Sequence, residues 1–178
     1  MFLKSYLISN NYKKKVIDNL YYNIVQVSRK KIFYQKLEVP DTFDGRFDML
    51  VLFSVVLFHA LSRFNPNGPV ISQSLFDKIF LDLDFSLREL GAGDAGVNIK
   101  IKSMVNSFMG RQNIYCKSFQ SNNFVQLEKS IIKNVYRNVQ FLKISPNHLT
   151  NYCKKILFIF SKEEESFFVK KHIIFPDF

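Results

Sequence analysis

Apolar residues recur along most of the chain at steps of three and four, which is the spacing of amphipathic helices. The first predicted helix covers residues 12–30, and one face of it consists of Val16, Leu20, Ile24 and Val27. The same spacing predicts helices at 98–117, 122–138 and 146–160. Residues 161–178 lack it, so we predict a loop and a short extended tail there.

The segment that begins with "VPDTFDGRFD" is different because it is apolar on every side from Met49 onward. Asp41 or Thr42 is predicted to cap a helix here, with Asp44 in its first turn, where the backbone dipole favours negative charge. Gly45 is a poor helix former at such a place and indicates close contact with something. The longest uncharged run, 49–61, is shorter than the roughly 20 residues that a membrane span needs. We therefore predict a buried central helix, which "FNPNGPV" ends.

Residues 71–90 show the clearest amphipathic pattern, with an inner face predicted from Phe76, Phe80, Leu83, Leu87 and Leu90. Ion pairs at a spacing of four are expected within this helix, Lys78 with Asp82 and Asp84 with Arg88. After it, Gly91 and Gly93 are expected in left-handed conformations, and Asp94 is expected to cap the next helix. In the helix at 98–117, Lys100, Lys102 and Arg111 are expected to point outward.

These patterns together predict an all-α protein, a single compact helical domain of six or seven helices with a short extended C-terminal tail. The chain has 178 residues, of which 47% are hydrophobic and 22% charged, so it can bury a core and is not a disordered chain. Its start has a short apolar stretch followed by charge, which is the wrong order for a secretory signal. Cys116 and Cys153 lie far apart, which favours a reducing compartment.

The net charge of +10 is unevenly distributed. Between residues 41 and 94, eight acidic side chains stand against four basic ones, and both flanks are basic. The first helix begins with three lysines at 13–15 and ends with basic residues at 29–31. Such flanks suit an anionic membrane surface or nucleic acid, and they are also typical of a solvated lysine-rich surface.

Enzyme motifs are missing from the sequence, which has neither a glycine-rich phosphate loop nor a Gly-x-Ser-x-Gly elbow. His59, His148 and His172 occur in unrelated settings, and no cysteine and histidine cluster has zinc-ligand spacing. One enzymatic alternative is a magnesium-dependent all-α isoprenoid synthase, with the metal on Asp41, Asp44, Asp82 and Asp84. Their spacing is not that of a DDxxD motif, and helix capping and ion pairs explain these acids better.

Three stretches resemble the ubiquinol–cytochrome c chaperone family: "VPDTFDGRFDMLVL", "LFDKIFLDLDFSLRELGAGD" and "KSMVNSFMGRQNIY". Family sequences read close to V-P-D-T-x-D-G-R-F-[DE]-x-L, then M-D-x-S-L-R-E-x-G-V-G-D, then a Gly-Arg. The chain departs from this family at Leu83, often Met, at Ala92, often Val, and at Phe53, often His. The resemblance implies an N-terminal extension at 1–14 and a chaperone domain at 15–178. The motif residues that it singles out are Asp41, Thr42, Asp44, Gly45, Arg46, Phe47, Asp48, Asp84, Arg88, Glu89, Gly91, Gly93, Asp94, Gly110 and Arg111.

The function that the resemblance implies is assembly of the ubiquinol–cytochrome c reductase complex, without catalysis and without a cofactor or metal. Its expected partner is newly made cytochrome b, with a small partner subunit and the ribosome as further contacts, and no specific nucleic acid. The expected location is the cytoplasmic side of the inner membrane in a bacterium, in peripheral contact with its anionic surface. In a eukaryote the expected location is the mitochondrial matrix and inner membrane.

Two hypotheses about the residues follow. The apolar central helix and its Phe-rich neighbours would form a groove for the transmembrane helices of a client protein. Arg46 and Arg88 would each pair with acids of the other motif segment beside that surface. The alternative is that both charge sets are caps and ion pairs with structural roles only. A basic RNA-binding or ribosome-binding protein is the alternative function.

Overall fold

The computed structural model of the protein describes residues 10–91, 93–137, 146–169 and 175–178, with side chains from residue 13 onward. Its helices are α1 (Asn10–Ser28), α2 (Lys31–Gln35), α3 (Phe43–Leu61), α4 (Asn67–Glu89), α5 (Asp94–Gln120), α6 (Phe124–Asn134), α7 (Asn147–Lys162) and α8 (Glu165–Val169). None of the described residues lies in a strand. The predicted all-α domain of six or seven helices is confirmed, since α2 and α8 are short pieces of five residues each.

Helix α3 is the centre of the fold, as the apolar run at 49–61 predicts. It packs against α1, α4, α5 and α7, and 15 of its 19 residues are buried. The hydroxyl of Ser54 donates to the carbonyl of Leu50 at 2.7 Å, so this polar side chain is satisfied inside the helix. No helix in the described parts of the chain has the length and apolar character to cross a membrane.

The start of α3 follows from its capping sequence. Thr42 is the cap, and its hydroxyl accepts a hydrogen bond from the amide of Gly45 at 3.1 Å. The close contact predicted at Gly45 is confirmed, because a Cβ there would lie 2.0 Å from the carbonyl oxygen of Pro40. Only glycine allows the incoming chain to cross the first turn this closely.

Helix α1 confirms its predicted face, since Val16, Leu20, Ile24 and Val27 are all buried. Helix α4 begins four residues earlier than predicted, and its inner face is partly different. Ile71, Leu75 and Ile79 are its most buried residues together with Phe80, whereas Leu90 is 75% exposed. The predicted pair of Lys78 with Asp82 is wrong.

The reason for that error is the packing of α1 along α4. Lys78 reaches Asp18 of α1 at 3.4 Å, and Asp82 accepts a hydrogen bond from the hydroxyl of Tyr21. Burial and the neighbouring carboxylate raise the pKa of Tyr21 well above its ordinary value. Partners on a neighbouring helix therefore replace the expected partner one turn away.

The junction between α4 and α5 corrects two expectations. Gly91 has the predicted left-handed conformation, with φ of 84°. Gly93 does not, because its φ is −64° and it occupies the capping position of α5. Asp94 is the first residue of α5 instead of its cap.

The remaining elements differ from prediction mainly in their ends. Helix α5 extends beyond 98–117 on both sides, α6 is shorter than 122–138, and α8 replaces part of the predicted loop. Residues 175–178 are not helical, in agreement with an extended tail, and Phe175 of this tail packs against Phe53 and Phe160. Residue 138, residues 170–174 with His172, Ala92 and the start of the 1–14 extension lie outside the described residues. The division at residue 14 stays a prediction.

Candidate functional site

The first and third motif stretches meet at a buried ion cluster. Asp48 of α3 has no exposed surface, and its carboxylate lies 2.8 Å from a guanidinium nitrogen of Arg111 and 2.8 Å from one of Arg137. Arg111 was expected to point outward, and this is wrong, since its side chain is only 14% exposed. A carboxylate buried inside the core needs opposite charge beside it, and α5 supplies that charge.

Burial raises the pKa of Asp48 to about 6, although both guanidinium groups act in the opposite direction. The cluster continues outward through Asp44, which lies 3.7 Å from Arg137 and 3.8 Å from Lys100. It thus joins the beginning of α3 to α5 and to the segment after α6. These ion pairs hold the three segments together, which is a structural role.

The second motif stretch forms a separate and exposed network. Arg88 pairs with Asp84, as predicted, and also with Asp94 across the turn between α4 and α5. Glu89 and Gly93 lie on the surface near it, and Gly110 is exposed on α5 with no atom within 4 Å of an added Cβ.

The expected cross-pairing of Arg46 and Arg88 with acids of the other segment is wrong. Arg46 binds Asp41 at 2.6 Å, which lowers the pKa of that carboxyl below its ordinary value. The guanidinium of Arg46 also lies 5.7 Å from the ring centre of Tyr34. Arg46 and Ser86 do line one small cavity of about 160 Å³, so the two segments approach each other. Each arginine is nevertheless held by carboxylates of its own segment.

The four aspartates of the magnesium alternative are also engaged elsewhere. Asp41, Asp84 and Asp44 lie beside basic side chains, and Asp82 accepts from Tyr21. Within the described residues, no group of three or more His, Cys, Asp or Glu side chains could hold a metal ion. Asp44 and Asp82 thus join neighbouring elements, and Asp41 and Asp84 pair within their own segments.

Two larger cavities flank the C-terminal half of α3. Cavity 1, of about 520 Å³, lies between α3, α4 and α5, and its apolar lining includes Phe58, Pro69, Phe76, Val105 and Met109. Cavity 2, of about 540 Å³, lies between α3, the end of α5, the start of α6 and α7, and its apolar lining includes Ala60, Phe119, Phe124, Leu157 and Phe158. Both volumes are in the range of ligand-binding clefts.

The two cavities meet at His59 and Ser62, which line both of them. We call the two together the α3 groove. The ring centre of His59 lies 5.3 Å from that of Phe119, and burial lowers the pKa of this histidine, which favours its neutral form. The groove therefore has an uncharged floor where the cavities join.

The sequence predicts an apolar groove but not its position. The sequence feature that could indicate its position is the presence of apolar side chains on otherwise polar helix faces. Two such residues are Met109, which is 54% exposed, and Phe158, which is 62% exposed. Met109 belongs to the third motif stretch, and Phe158 belongs to none of the three. None of the fifteen motif residues singled out by the resemblance lines cavity 1 or cavity 2, although Phe76, Val105 and Met109 of the second and third stretches line cavity 1.

Comparison with known proteins decides the family. The family model described as ubiquinol–cytochrome C chaperone matches residues 35–158, which contain all three motif stretches. The chain belongs to this chaperone family. It is also similar to the crystal structure of the Cbp3 homolog from Brucella abortus, with a TM-score of 0.82 and 28% sequence identity. That similarity covers 94% of this chain and 92% of the other chain. A search of curated protein sequences finds no match.

The chaperone family membership confirms the resemblance and supports a role in assembly of the ubiquinol–cytochrome c reductase complex. The family match ends within α7, whereas the structural similarity extends over most of the chain. The shared fold thus extends well beyond the three motif stretches.

Proposed function

We propose that this chaperone holds newly made cytochrome b by packing one of its transmembrane helices into the α3 groove. The observation that carries the proposal is the pair of apolar cavities, which together flank the C-terminal half of the largely buried helix α3. A chaperone of a membrane protein must cover apolar helix faces before the bilayer or a subunit does. Helix-in-groove binding does this through a few large side chains of the client.

The chemistry of the groove supports such a client. Aromatic rings and the flexible thioether of Met109 adapt to different apolar side chains, which suits a chaperone better than a single rigid pocket. Polar groups at the rim, such as Gln112 and Gln120, offer hydrogen bonds without excluding an apolar helix. The chain on this proposal binds and releases its client and catalyses no reaction.

The test is capture of cytochrome b from membranes solubilised in mild detergent. Met109→Glu places a charge in cavity 1 and should reduce capture at least about tenfold, because a buried unpaired carboxylate is costly. Met109 is already exposed, so the variant should fold. Ile99→Glu is the matched control, since Ile99 lies on the same helix, is 73% exposed and lines neither cavity.

Equal capture by the wild type and Met109→Glu would contradict the proposed site. Nuclease treatment in the same experiment addresses the RNA-binding alternative. Recovery of cytochrome b after nuclease supports the chaperone function. Recovery of RNA alone, lost when salt is raised, would support the alternative.

We further propose that the chain works at the surface of the membrane into which cytochrome b is inserted. Its basic flanks would contact anionic lipid headgroups from outside the bilayer. A small partner subunit and ribosome contact stay predictions of the family resemblance.

A further inference from the structure

The two halves of the α3 groove differ in charge. The described residues that line cavity 1 carry no formal charge, apart from the titratable His59 and Cys116. Cavity 2 is lined by Arg63 and Lys154 and by no acidic residue. A third cation, Lys162, lies 3.9 Å from the ring centre of Phe158, which also lines cavity 2. The groove is therefore neutral at one end and basic at the other.

The basic residues at cavity 2 differ in the interactions that they already make. Arg63 donates to the carbonyls of Phe160, Ser161 and Glu163, so its charge compensates the C-terminal end of α7. Lys154 lies 4.6 Å from the ring centre of Phe124. Among the described residues, neither Lys154 nor Lys162 forms an ion pair. These two lysines keep their charge available for a ligand.

Nearby acids do not cancel this charge inside the cavity. An acidic run at 163–165 follows Lys162, but none of its side chains lines cavity 2. Glu165 accepts a hydrogen bond from the side chain of Asn67 at 2.8 Å, which directs it towards the start of α4. The charged side chains that line cavity 2 are therefore all basic.

We infer that the α3 groove binds a client helix in one direction, with its apolar body in cavity 1 and an acidic C-terminal end in cavity 2. This inference rests on the proposed function and adds the polarity of the bound helix. A helix C-terminus carries partial negative charge on its free carbonyls, and acidic residues there add full charges. Lys154 and Lys162 complement both, whereas a helix bound in the reverse direction would point its positive end at them.

The test uses two synthetic peptides of identical composition in detergent micelles. Each contains an apolar helix of about 20 residues, and two glutamates follow it in one peptide and precede it in the other. The peptide with C-terminal glutamates should bind about tenfold more tightly, as expected for two partly screened charge pairs. Lys154→Glu with Lys162→Glu should remove or reverse this preference. A crosslinker at Phe158 should react with the acidic end, and one at Met109 with the apolar body.

The matched control is Lys102→Glu with Lys129→Glu, which makes the same charge change at two exposed lysines outside both cavities. The control should keep the preference. Equal affinity of the wild type for both peptides overturns the inference, and so does an equal loss of preference in the control.

Two further outcomes separate this inference from the proposed function. If cytochrome b is captured normally but no peptide preference exists, the inference fails and the proposed function stands. If the lysine variant instead loses binding to anionic vesicles and the peptides bind equally, cavity 2 binds lipid, and the inference fails. If capture itself does not depend on Met109, both fail.

Discussion

At the scale of single residues, the buried carboxylate of Asp48 explains why two distant motif stretches occur together. Its oxygens lie 2.8 Å from Arg111 and 2.8 Å from Arg137, and no solvent reaches the group. A carboxylate in such a place is tolerated only when the surrounding charges are kept. The Gly-Arg of the third stretch is thus the counterpart of the last acid of the first stretch.

Replacing Arg111 by Met should lower the free energy of unfolding by about 3 kcal/mol at neutral pH, because it leaves a buried carboxylate with one partner. The loss should depend on pH. The pKa of Asp48 is already raised to about 6, and removal of Arg111 takes away a charge that lowers it. The pKa therefore rises further in the variant. Below that pKa the carboxyl is neutral, so the deficit should shrink as the pH falls towards 5.

Urea unfolding at pH 8 and pH 5 measures this difference. The double variant Asp48→Asn with Arg111→Met removes the titrating group together with its partner. It should recover most of the lost stability at pH 8, because no uncompensated charge stays in the core. A deficit in Arg111→Met that is the same at both pH values would contradict this role of Asp48.

Gly45 and Gly110 give a second prediction, since both are helical motif glycines with opposite surroundings. Gly45→Ala should lower the unfolding midpoint clearly, because its Cβ would lie 2.0 Å from the backbone oxygen of Pro40. Gly110→Ala meets nothing within 4 Å and should be neutral or stabilising by up to about 1 kcal/mol. Thermal unfolding of both variants measures this. Similar midpoints would contradict the role of Gly45 as the crossing point at the start of α3.

The same residues show what the sequence can predict. The contact at Gly45 could be predicted because glycine is a poor helix former, so its presence in a first helical turn indicates that a side chain would not fit there. The burial of Arg111 could not, because helical spacing gives it a polar position, and its partner is 63 residues away. The predicted partner of Lys78 is wrong for the same reason, since its observed partner Asp18 lies on another helix.

At the scale of helices, the pattern of apolar residues predicts which helix is buried better than it predicts which face of a helix packs inward. From Met49 onward helix α3 is apolar on all sides, so its central place requires no further information. Helix α4 has apolar residues on more than one face, and the face that α3 and α1 cover depends on packing. Leu81 and Phe85 of α4, for example, are apolar residues that packing leaves exposed. The α3 groove also depends on packing, because its lining comes from five helices, α3 to α7.

The junction of α4 and α5 leads to a prediction about local stability. Arg88 joins Asp84 to Asp94 across the turn at Gly91, on the exposed surface. Arg88→Gln should increase amide hydrogen exchange near this turn and leave the global unfolding midpoint unchanged. Arg46→Gln is the matched control, and it should affect only the start of α3. Faster exchange throughout the molecule in Arg88→Gln would contradict a local role.

The same two arginine variants test whether the motif residues bind the client. Neither Arg46 nor Arg88 lines cavity 1 or cavity 2, so both variants should capture cytochrome b as the wild type does. Loss of capture in a variant that folds normally would assign a binding role to its motif segment. The client-binding role of these residues stays a prediction until that measurement.

At the scale of the whole molecule, the basic start of α1 and the α3 groove are separate surfaces, since no described residue of α1 lines cavity 1 or cavity 2. Eight of the fifteen acidic residues lie between 41 and 94, and two of them, Asp44 and Asp48, pair with basic residues of α5. Among the described residues, Lys13, Lys14 and Lys15 form no ion pair. The α3 groove lies on the far half of α3, between α4, α5, α6 and α7. One basic terminus and one apolar groove could thus serve two different contacts.

This separation predicts binding to anionic membranes that does not require the groove. Replacing Lys13, Lys14 and Lys15 by Gln should reduce flotation with phosphatidylserine vesicles at least about tenfold, since each lysine near such a surface contributes roughly 1 kcal/mol. Lys102, Lys117 and Lys129 replaced by Gln lose the same charge from exposed sites on α5 and α6 and should float nearly as the wild type does. Binding should also fall as salt is raised, because the contact is electrostatic. Met109→Glu should leave flotation unchanged while it reduces cytochrome b capture. Equal loss in both lysine variants would mean that total charge, and not the start of α1, governs membrane contact.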